Sequence, residues 1–315
     1  MASTSNEVRP ASGTGEQHLE HDPMQVRHRR HPMERTYLAM LVPAFILFTG
    51  LLMVPFLTGL FYTFTNFKGY GDWRWIGLSN YISLFQDNVI WQSYWFTFKY
   101  ALVATVLINI IALALALFLN EKIKGQTFWR GLFFLPNILP VLIVSYIFGY
   151  LFTNNLPEIG QKLGIEVLST SLVASEKYAW LAIVLVGVWQ AVAYNTIIYL
   201  SGLQTIDDSV YEASDIDGAS AWKKLLHITL PLIVPFMGIN MVLSFKGSLG
   251  VFDQIVALTG GGPGTSTQSI SFLIFKNGFQ GGEYAYQTAN GIIYFIIVVL
   301  ISVAQLRFFQ SQERL

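Results

Sequence analysis

Two groups of residues have types and spacing that could do chemistry. One is a polar run set between long apolar segments, "YEASDIDGASAWKKLLHITLPLIVP" over 211–235, with Glu212, Asp215 and Asp217 beside Gly218 and then Lys223 and Lys224. The other lies inside apolar segments: Trp189, Gln190, Tyr194 and Asn195 before that run, and Asn240, Ser244, Lys246, Ser248, Asp253 and Gln254 after it. Polar groups in a membrane-crossing segment are costly and face a bundle interior or a water-filled cavity. A path for a hydroxyl-rich solute wants hydrogen-bonding side chains beside aromatic platforms. No nucleophile with its base, and no set of metal ligands, assembles from these side chains, so an enzyme is not expected.

Other chemistries fall away. The chain has no cysteine, which removes disulfides and thiolate metal sites. Its formal net charge is zero, which suggests no nucleic-acid partner. "TGGGPGTSTQ" at 259–268 is Gly-rich but lacks the Gly-Lys-Ser/Thr continuation that cradles nucleotide phosphates, and no such loop occurs elsewhere, so the chain is not expected to hydrolyse ATP itself. His18, His21, His28 and His31 could ligate a metal, but they stand among arginines in a polar tail, and no metal is expected.

These residues need long apolar elements to position them. The 315 residues are 53% hydrophobic and only 12% charged, about half the charged share of a soluble domain. Six windows are long enough to cross a hydrocarbon core of about 30 Å as helix: 37–64, 96–119, 132–152, 178–203, 228–258 and 286–309. Runs such as "LVATVLINIIALALALFL" are apolar on every side, unlike the alternating strands of a membrane barrel. The expected fold is therefore all-α and membrane-integral, with six transmembrane helices and kinks at Pro43, Pro55, Pro136, Pro140 and Pro235.

Residues 1–35 are polar, lack the apolar core of a secretory signal, and read as a disordered tail. A membrane domain over 36–310 and a short tail over 311–315 complete the organisation. Short-loop Lys and Arg favour the cytoplasmic side. Arg9, Arg27, Arg29, Arg30, Arg35, Lys122, Lys124, Arg130, Lys223, Lys224, Arg307 and Arg314 outnumber Lys68, Arg74, Lys162, Lys177 and Lys276 by twelve to five. That asymmetry places both termini and the loop 204–227 in the cytoplasm.

Within that loop, 207–217 reads as a short helix. Asp207, Asp208 or Ser209 can N-cap it, Ser209 with Glu212 fits a capping box, and Gly218 suits a left-handed C-terminal position. "ASAWKKLLHITL" then starts a second helix. A plain solvated loop, with Lys223 and Lys224 fixing topology, is the competing reading. Single residues within the spans have plain readings too. Lys246, about 27 Å along its span, is placed to snorkel outward or to pair with Asp253 on one helical face. Trp189 suits packing, and Asn195 an interhelical hydrogen bond.

The order Glu212-Ala213-Ser214, three residues, Gly218, nine residues, Ile228-Thr229-Leu230-Pro231 resembles the "EAA–Gly–Ile-x-Leu-Pro" loop of permease subunits of binding-protein-dependent ABC importers. Ser214 in place of the second Ala is the one departure. "LSNYISLFQD", "RGLFFLPNILPVLIVSYIFGYLF" and "VFDQIVALTGGGPGTSTQSISFLIF" resemble the carbohydrate branch, type I, and its maltose- or glycerol-phosphate-like first permease. The resemblance implies a coupling loop, with Tyr211, Glu212, Ala213, Ser214, Asp217, Gly218, Ala219, Ile228, Leu230 and Pro231 docking on an ATP-binding subunit. The polar residues within the fourth and fifth spans are then read as a substrate path for a di- or oligosaccharide through Trp189, Gln190, Tyr194, Asn195, Lys246, Ser248 and Asp253. Tyr194 matches a sugar-contacting Tyr of maltose-type permeases, whereas Gly250 and Val251 stand where that relative has polar side chains.

The implied partners are a second homologous permease, two ATP-binding subunits carrying ATP and Mg, an extracytoplasmic solute-binding protein meeting loops 65–95, 153–177 and 259–285, and membrane lipid. The implied place is the inner, cytoplasmic membrane. The alternative is an ion-coupled secondary transporter, which would want an acidic or histidine relay in mid-membrane.

Overall fold

The computed structural model describes residues 33–121 and 124–312. The four tail histidines, Lys122 and residues 313–315 lie outside the described residues. Helix is present from Met33 and persists to Gln312, a few residues beyond the first and last apolar windows. Backbone hydrogen bonding carries a helix past its last apolar side chain, so hydropathy ends it a few residues early.

The described chain divides into two compact units, one ending at Val54 and one starting at Pro55. In the first, α1 (Met33–Phe48) leads into a single wide turn, Thr49–Met53. There follow α2 (Val54–Tyr62), α3 (Ser79–Gln86), α4 (Asn88–Asn120), α5 (Gln126–Ile138), α6 (Val141–Tyr150) and α7 (Leu156–Leu163). The second half holds α8 (Ala179–Leu203), α9 (Asp208–Ile216), α10 (Ala221–Lys224), α11 (Leu230–Leu232), α12 (Val234–Leu249), α13 (Asp253–Leu258), α14 (Ile270–Phe275) and α15 (Tyr284–Gln312). Among the described residues the only β feature is an isolated bridge between Thr65 and Trp75. The fold is all-α, as expected.

Among the described residues, four helical stretches are long and apolar enough to cross a membrane: Ala39–Tyr62, Asn88–Asn120, Ala179–Leu203 and Tyr284–Phe309. The expected third and fifth spans are not straight rods. Gln126–Ile138 and Val141–Leu163 meet at 94°, and Ala221–Leu232 and Val234–Leu249 meet at 71°. The first bend falls on Leu139 and Pro140, both with extended ψ near 130°, because a proline disfavours helix at the residue before it. The second falls at Ile233, where Pro235 occupies the first turn of α12 and supplies no N–H. The fifth span also stops at Leu249 instead of reaching 258; Gly250 caps α12, and α13 is a separate short helix.

The core seam runs between α4 and α8. Ala104, Ile108, Ala112 and Ala116 recur every fourth residue on α4 and are fully or nearly fully buried, as are Ala182, Ile183, Val186 and Ala193 on α8. Small residues let helix backbones approach closely where lipid supplies no hydrophobic drive. Gly187 is one such point: a Cβ there would collide with the Tyr100 hydroxyl. At Gly202, a Cβ would fall 2.6 Å from Cγ of Phe236 on α12.

A buried polar chain crosses the same three helices. Tyr199 donates its hydroxyl to Asn109 Oδ1 at 2.6 Å, Asn109 Nδ2 donates to Ser244 Oγ at 2.9 Å, and Ser244 donates to the Asn240 carbonyl at 2.6 Å. Asn240 Nδ2 in turn donates to the Asn195 carbonyl at 3.1 Å. Asn109→Ala leaves the Tyr199 hydroxyl without its acceptor, a loss of about 1–3 kcal/mol when such a group stays buried. Gly202→Ala overpacks the seam by a similar ~1–3 kcal/mol. Both variants are expected to lower the melting temperature of the detergent-purified protein by several degrees; unchanged melting in both would show that this seam does not hold the helices together.

Candidate functional site

The polar loop after α8 builds a compact helix pair from its own side chains. Asp207 is the N-cap of α9, its Oδ1 accepting the Ser209 N–H at 2.8 Å. Hydrogen bonds from the Ser209 side chain and backbone hold the Asp207 carboxyl below its ordinary pKa. The expected capping box of Ser209 and Glu212 does not form. With Asp207 as cap, Ser209 is already inside the first turn, and a box requires its Ser at the cap position.

The far end of α9 closes as a Schellman motif. Gly218 takes φ +73°, its N–H donates to the Asp215 carbonyl at 3.1 Å, and the Ala219 N–H donates to the Ser214 carbonyl at 3.0 Å. Ser220 then caps α10 by accepting from the Lys223 N–H. A wide turn, Leu225–Thr229, leads through α11 to the bend at Ile233.

Two ties lock the pair together. Asp215 and Lys224 form an ion pair, and the Tyr211 and Thr229 hydroxyls share a hydrogen bond at 3.1 Å. Ser214 is buried and donates to the Tyr211 carbonyl at 2.7 Å, so its hydroxyl is absorbed by its own helix and a small residue suffices there. Glu212 is different. It is exposed, stands at the rim of a 670 Å³ hollow shared with Asn120 and Glu121 at the end of α4, and its side chain makes no hydrogen bond or ion pair among the described residues. One turn further along α9 Ile216 is 88% exposed, and on α10 Trp222 is 67% exposed. Ala213, Asp217 and Pro231 are also exposed, whereas Ile228 and Leu230 are partly buried.

The second site is a 480 Å³ cavity where α8 and α12 meet the break between α5 and α6. Gln190, Tyr194, Asn195, Ser248 and Asp253 line it, and so do Gly250 and Val251. Trp189 and Lys246 do not. Trp189 turns toward Phe148, with ring centroids 5.4 Å apart, on an apolar face. Lys246 is exposed elsewhere on α12. Its expected pairing with Asp253 fails because the helix ends at Leu249, which destroys the seven-residue register.

Asn195 does not make its expected side-chain bond to another helix. Its Nδ2 donates to Ala191 at 2.8 Å within α8, while its carbonyl receives Asn240. Gln190 Nε2 donates to the Leu139 carbonyl at 3.3 Å, the group left free by the break at Pro140. The side-chain oxygens of Gln190 and Asn195 are buried without partners. Tyr100 and Asn137 also reach this cavity. Sequence reading passed over both; Asn137 between two prolines in an apolar run was the available signal, whereas Tyr100 carried none. "TGGGPGTSTQ" folds on itself, with Thr259 bonded to Thr267 at 2.8 Å and Thr267 to the Gly262 carbonyl at 2.6 Å. Among the described residues no group of His, Asp and Glu side chains is placed to hold a metal ion.

Residues 108–314 match the family described as binding-protein-dependent transport system inner membrane component. The multiple sugar-binding transport system permease protein MsmF of Streptococcus mutans is 38% identical over 260 residues, covering 82% of this chain and 90% of that protein. The probable starch degradation products transport system permease protein AmyD of Thermoanaerobacterium thermosulfurigenes is 32% identical over 277 residues, covering 88% and 94%. A bacterial ABC transporter involved in import of the acidic polysaccharide alginate shares the fold, with a TM-score of 0.77 at 23% identity over 89% of this chain and 97% of that one.

Asp207→Ala removes the α9 cap, a loss of about 1 kcal/mol, and Gly218→Val forces a β-branched residue into a left-handed conformation at about 1–2 kcal/mol. Either variant is expected to speed amide hydrogen exchange over 208–216 while leaving the middle of α8 unchanged; equal exchange in wild type and both variants would mean that these caps do not hold the pair.

Proposed function

This chain belongs to the family of binding-protein-dependent transport system inner membrane components, and on that premise we propose that it is a permease subunit of an ATP-driven carbohydrate importer. The named relatives are sugar permeases, which supports a sugar as the transported class over an ion-coupled carrier. The chain forms part of the translocation path and works with a second permease. ATP and Mg reside on two partner subunits, and a solute-binding protein delivers substrate at the outer loops. Both termini and the α9–α10 pair face the cytoplasm, in keeping with the Lys and Arg asymmetry.

One observation carries the coupling role. The α9–α10 pair satisfies its own caps and ties internally, yet leaves the Glu212 carboxylate without a partner among the described residues and Ile216 and Trp222 exposed. A free carboxylate beside exposed apolar side chains is a surface prepared for a basic, partly apolar cleft. The pair is joined directly to α8 and, through the segmented limb, to α12, and these are the helices that wall the polar cavity. Closure of the ATP-binding subunits on nucleotide thus moves the cavity walls through a solid handle. Tyr194, half exposed on α8, gives the path an aromatic face, and Gln190, Asn195, Ser248 and Asp253 supply hydrogen-bonding groups.

The test is purification from the native membrane in mild detergent, followed by mass spectrometry and reconstitution. A homologous permease and a P-loop subunit are expected to co-purify. Glu212→Lys is expected to reach the membrane at wild-type level and to lose at least about tenfold of ATP-driven uptake, ~1.4 kcal/mol of coupling or more. Normal uptake by that variant removes the docking role of Glu212, and uptake by this chain alone without ATP removes the importer reading.

A further inference from the structure

We propose that the α8–α12 cavity selects uncharged carbohydrate and rejects anionic congeners, with Asp253 as the residue that sets this preference; the inference rests on the carbohydrate-importer reading above. Among the described residues that line the cavity, Asp253 is the single carboxylate and there is no Lys, Arg or His. Two lysines come close in sequence and face elsewhere. Lys246 is exposed and off the wall although its neighbours Gly247 and Ser248 line it. Lys99 precedes the wall residue Tyr100 but lies over the Trp180 ring, 3.9 Å from its centroid, in a separate hollow.

The unpartnered atoms point the same way. Gln190 is 8% exposed and Asn195 4%, and each has its amide nitrogen committed to a backbone carbonyl. Of the two ends of a side-chain amide only the N–H₂ can donate to a carbonyl, so this fixes the amide orientation and leaves both side-chain oxygens without a partner. Buried acceptors without partners are a cost that a donor can recover. The hydroxyls of a neutral sugar are such donors. A phosphate or uronate group brings lone pairs and negative charge to a wall that already carries both, and desolvation in a confined site strengthens the repulsion. The alginate importer shares this fold but is described with an acidic polysaccharide, so the fold does not fix the charge class; the side chains on the wall do.

The experiment uses the purified importer assembly in detergent without its binding protein, so that only the membrane site discriminates. Saturation-transfer NMR measures binding of two probes, neutral maltotriose and a triglucuronate of equal length, to wild type, Asp253→Asn and Asp253→Lys, while ATP-driven sugar uptake is measured separately in proteoliposomes with the binding protein. Maltotriose is expected to bind wild type at least about tenfold more tightly than the triglucuronate. Asp253→Asn is expected to narrow that ratio and Asp253→Lys to reverse it; should the Lys variant fail to assemble, the near-isosteric Asn variant carries the test. Equal binding of the two probes to wild type, or an unchanged ratio in Asp253→Asn, overturns the inference. Binding of neither probe while sugar uptake is intact also overturns it, because the cavity is then no carbohydrate site. Loss of the underlying reading looks different: the wild-type assembly shows no ATP-driven sugar uptake at all.

Discussion

A backbone group inside a hydrocarbon layer has no water to bond, so every break in a crossing helix must be answered by a neighbouring side chain. This chain breaks its helices around one place and answers each break separately. Gln190 donates to the Leu139 carbonyl at the bend before α6, Tyr294 donates to the Leu249 carbonyl at the end of α12 at 2.6 Å, and Ser269 donates to the Val251 carbonyl at 2.7 Å. The polar cavity exists because these ends meet there, and its walls stay in place because α8, α14 and α15 each have a side chain committed to one of them. Irregular backbone at this depth is tolerated when buried in protein or lining a cavity; here Leu139, Gly250 and Val251 line the cavity, and Val251 is also buried.

The α4–α8 seam supplies the fixed frame for that arrangement. Ala104, Ala112 and Ala116 of α4 bring the backbones together, and the buried chain Tyr199–Asn109–Ser244–Asn240 ties α12 to the pair. In soluble proteins such a chain would compete with water; in a membrane-crossing bundle each link is worth about 0.6 kcal/mol on average, up to ~2. Several modest links in register hold three helices in one arrangement where one would not. Tyr94 with Asn290 and Tyr286 with Asp87 repeat the device between α15 and the start of α4.

Much of this was legible in the sequence, and the exceptions share a cause. The apolar windows located every membrane-length element, and the spacing of Glu212, Gly218 and Pro231 located the helix pair and its left-handed turn. Hydropathy counts residues without direction, so it could not show that Leu139–Pro140 and Ile233 turn the chain through large angles. It also assigned Trp189 and Lys246 to the path, because a polar or aromatic residue inside a span reveals that it must be accommodated but not on which side. Lys246 and Asp253 show the limit most plainly: a helical register argues for contact only while the helix continues, and Gly250 ends it. The Asp207 cap displaced the Ser209 box because two residues two positions apart could each cap and only three-dimensional closure of the turn chooses between them.

The two limbs that leave the α9–α10 pair differ in mechanical kind. On one side α8 is a rod of 25 residues without interruption, about 37 Å long at the usual rise. On the other, a wide turn at Leu225–Thr229 and the bend at Ile233 divide the connection into short links before α12 begins. A push delivered to the pair travels along the rod as displacement and along the jointed limb as rotation. On the coupling role proposed above, the α8 and α12 walls of the cavity would then slide and tilt past one another, and the opening would change shape by shear without the helices themselves stretching or unwinding.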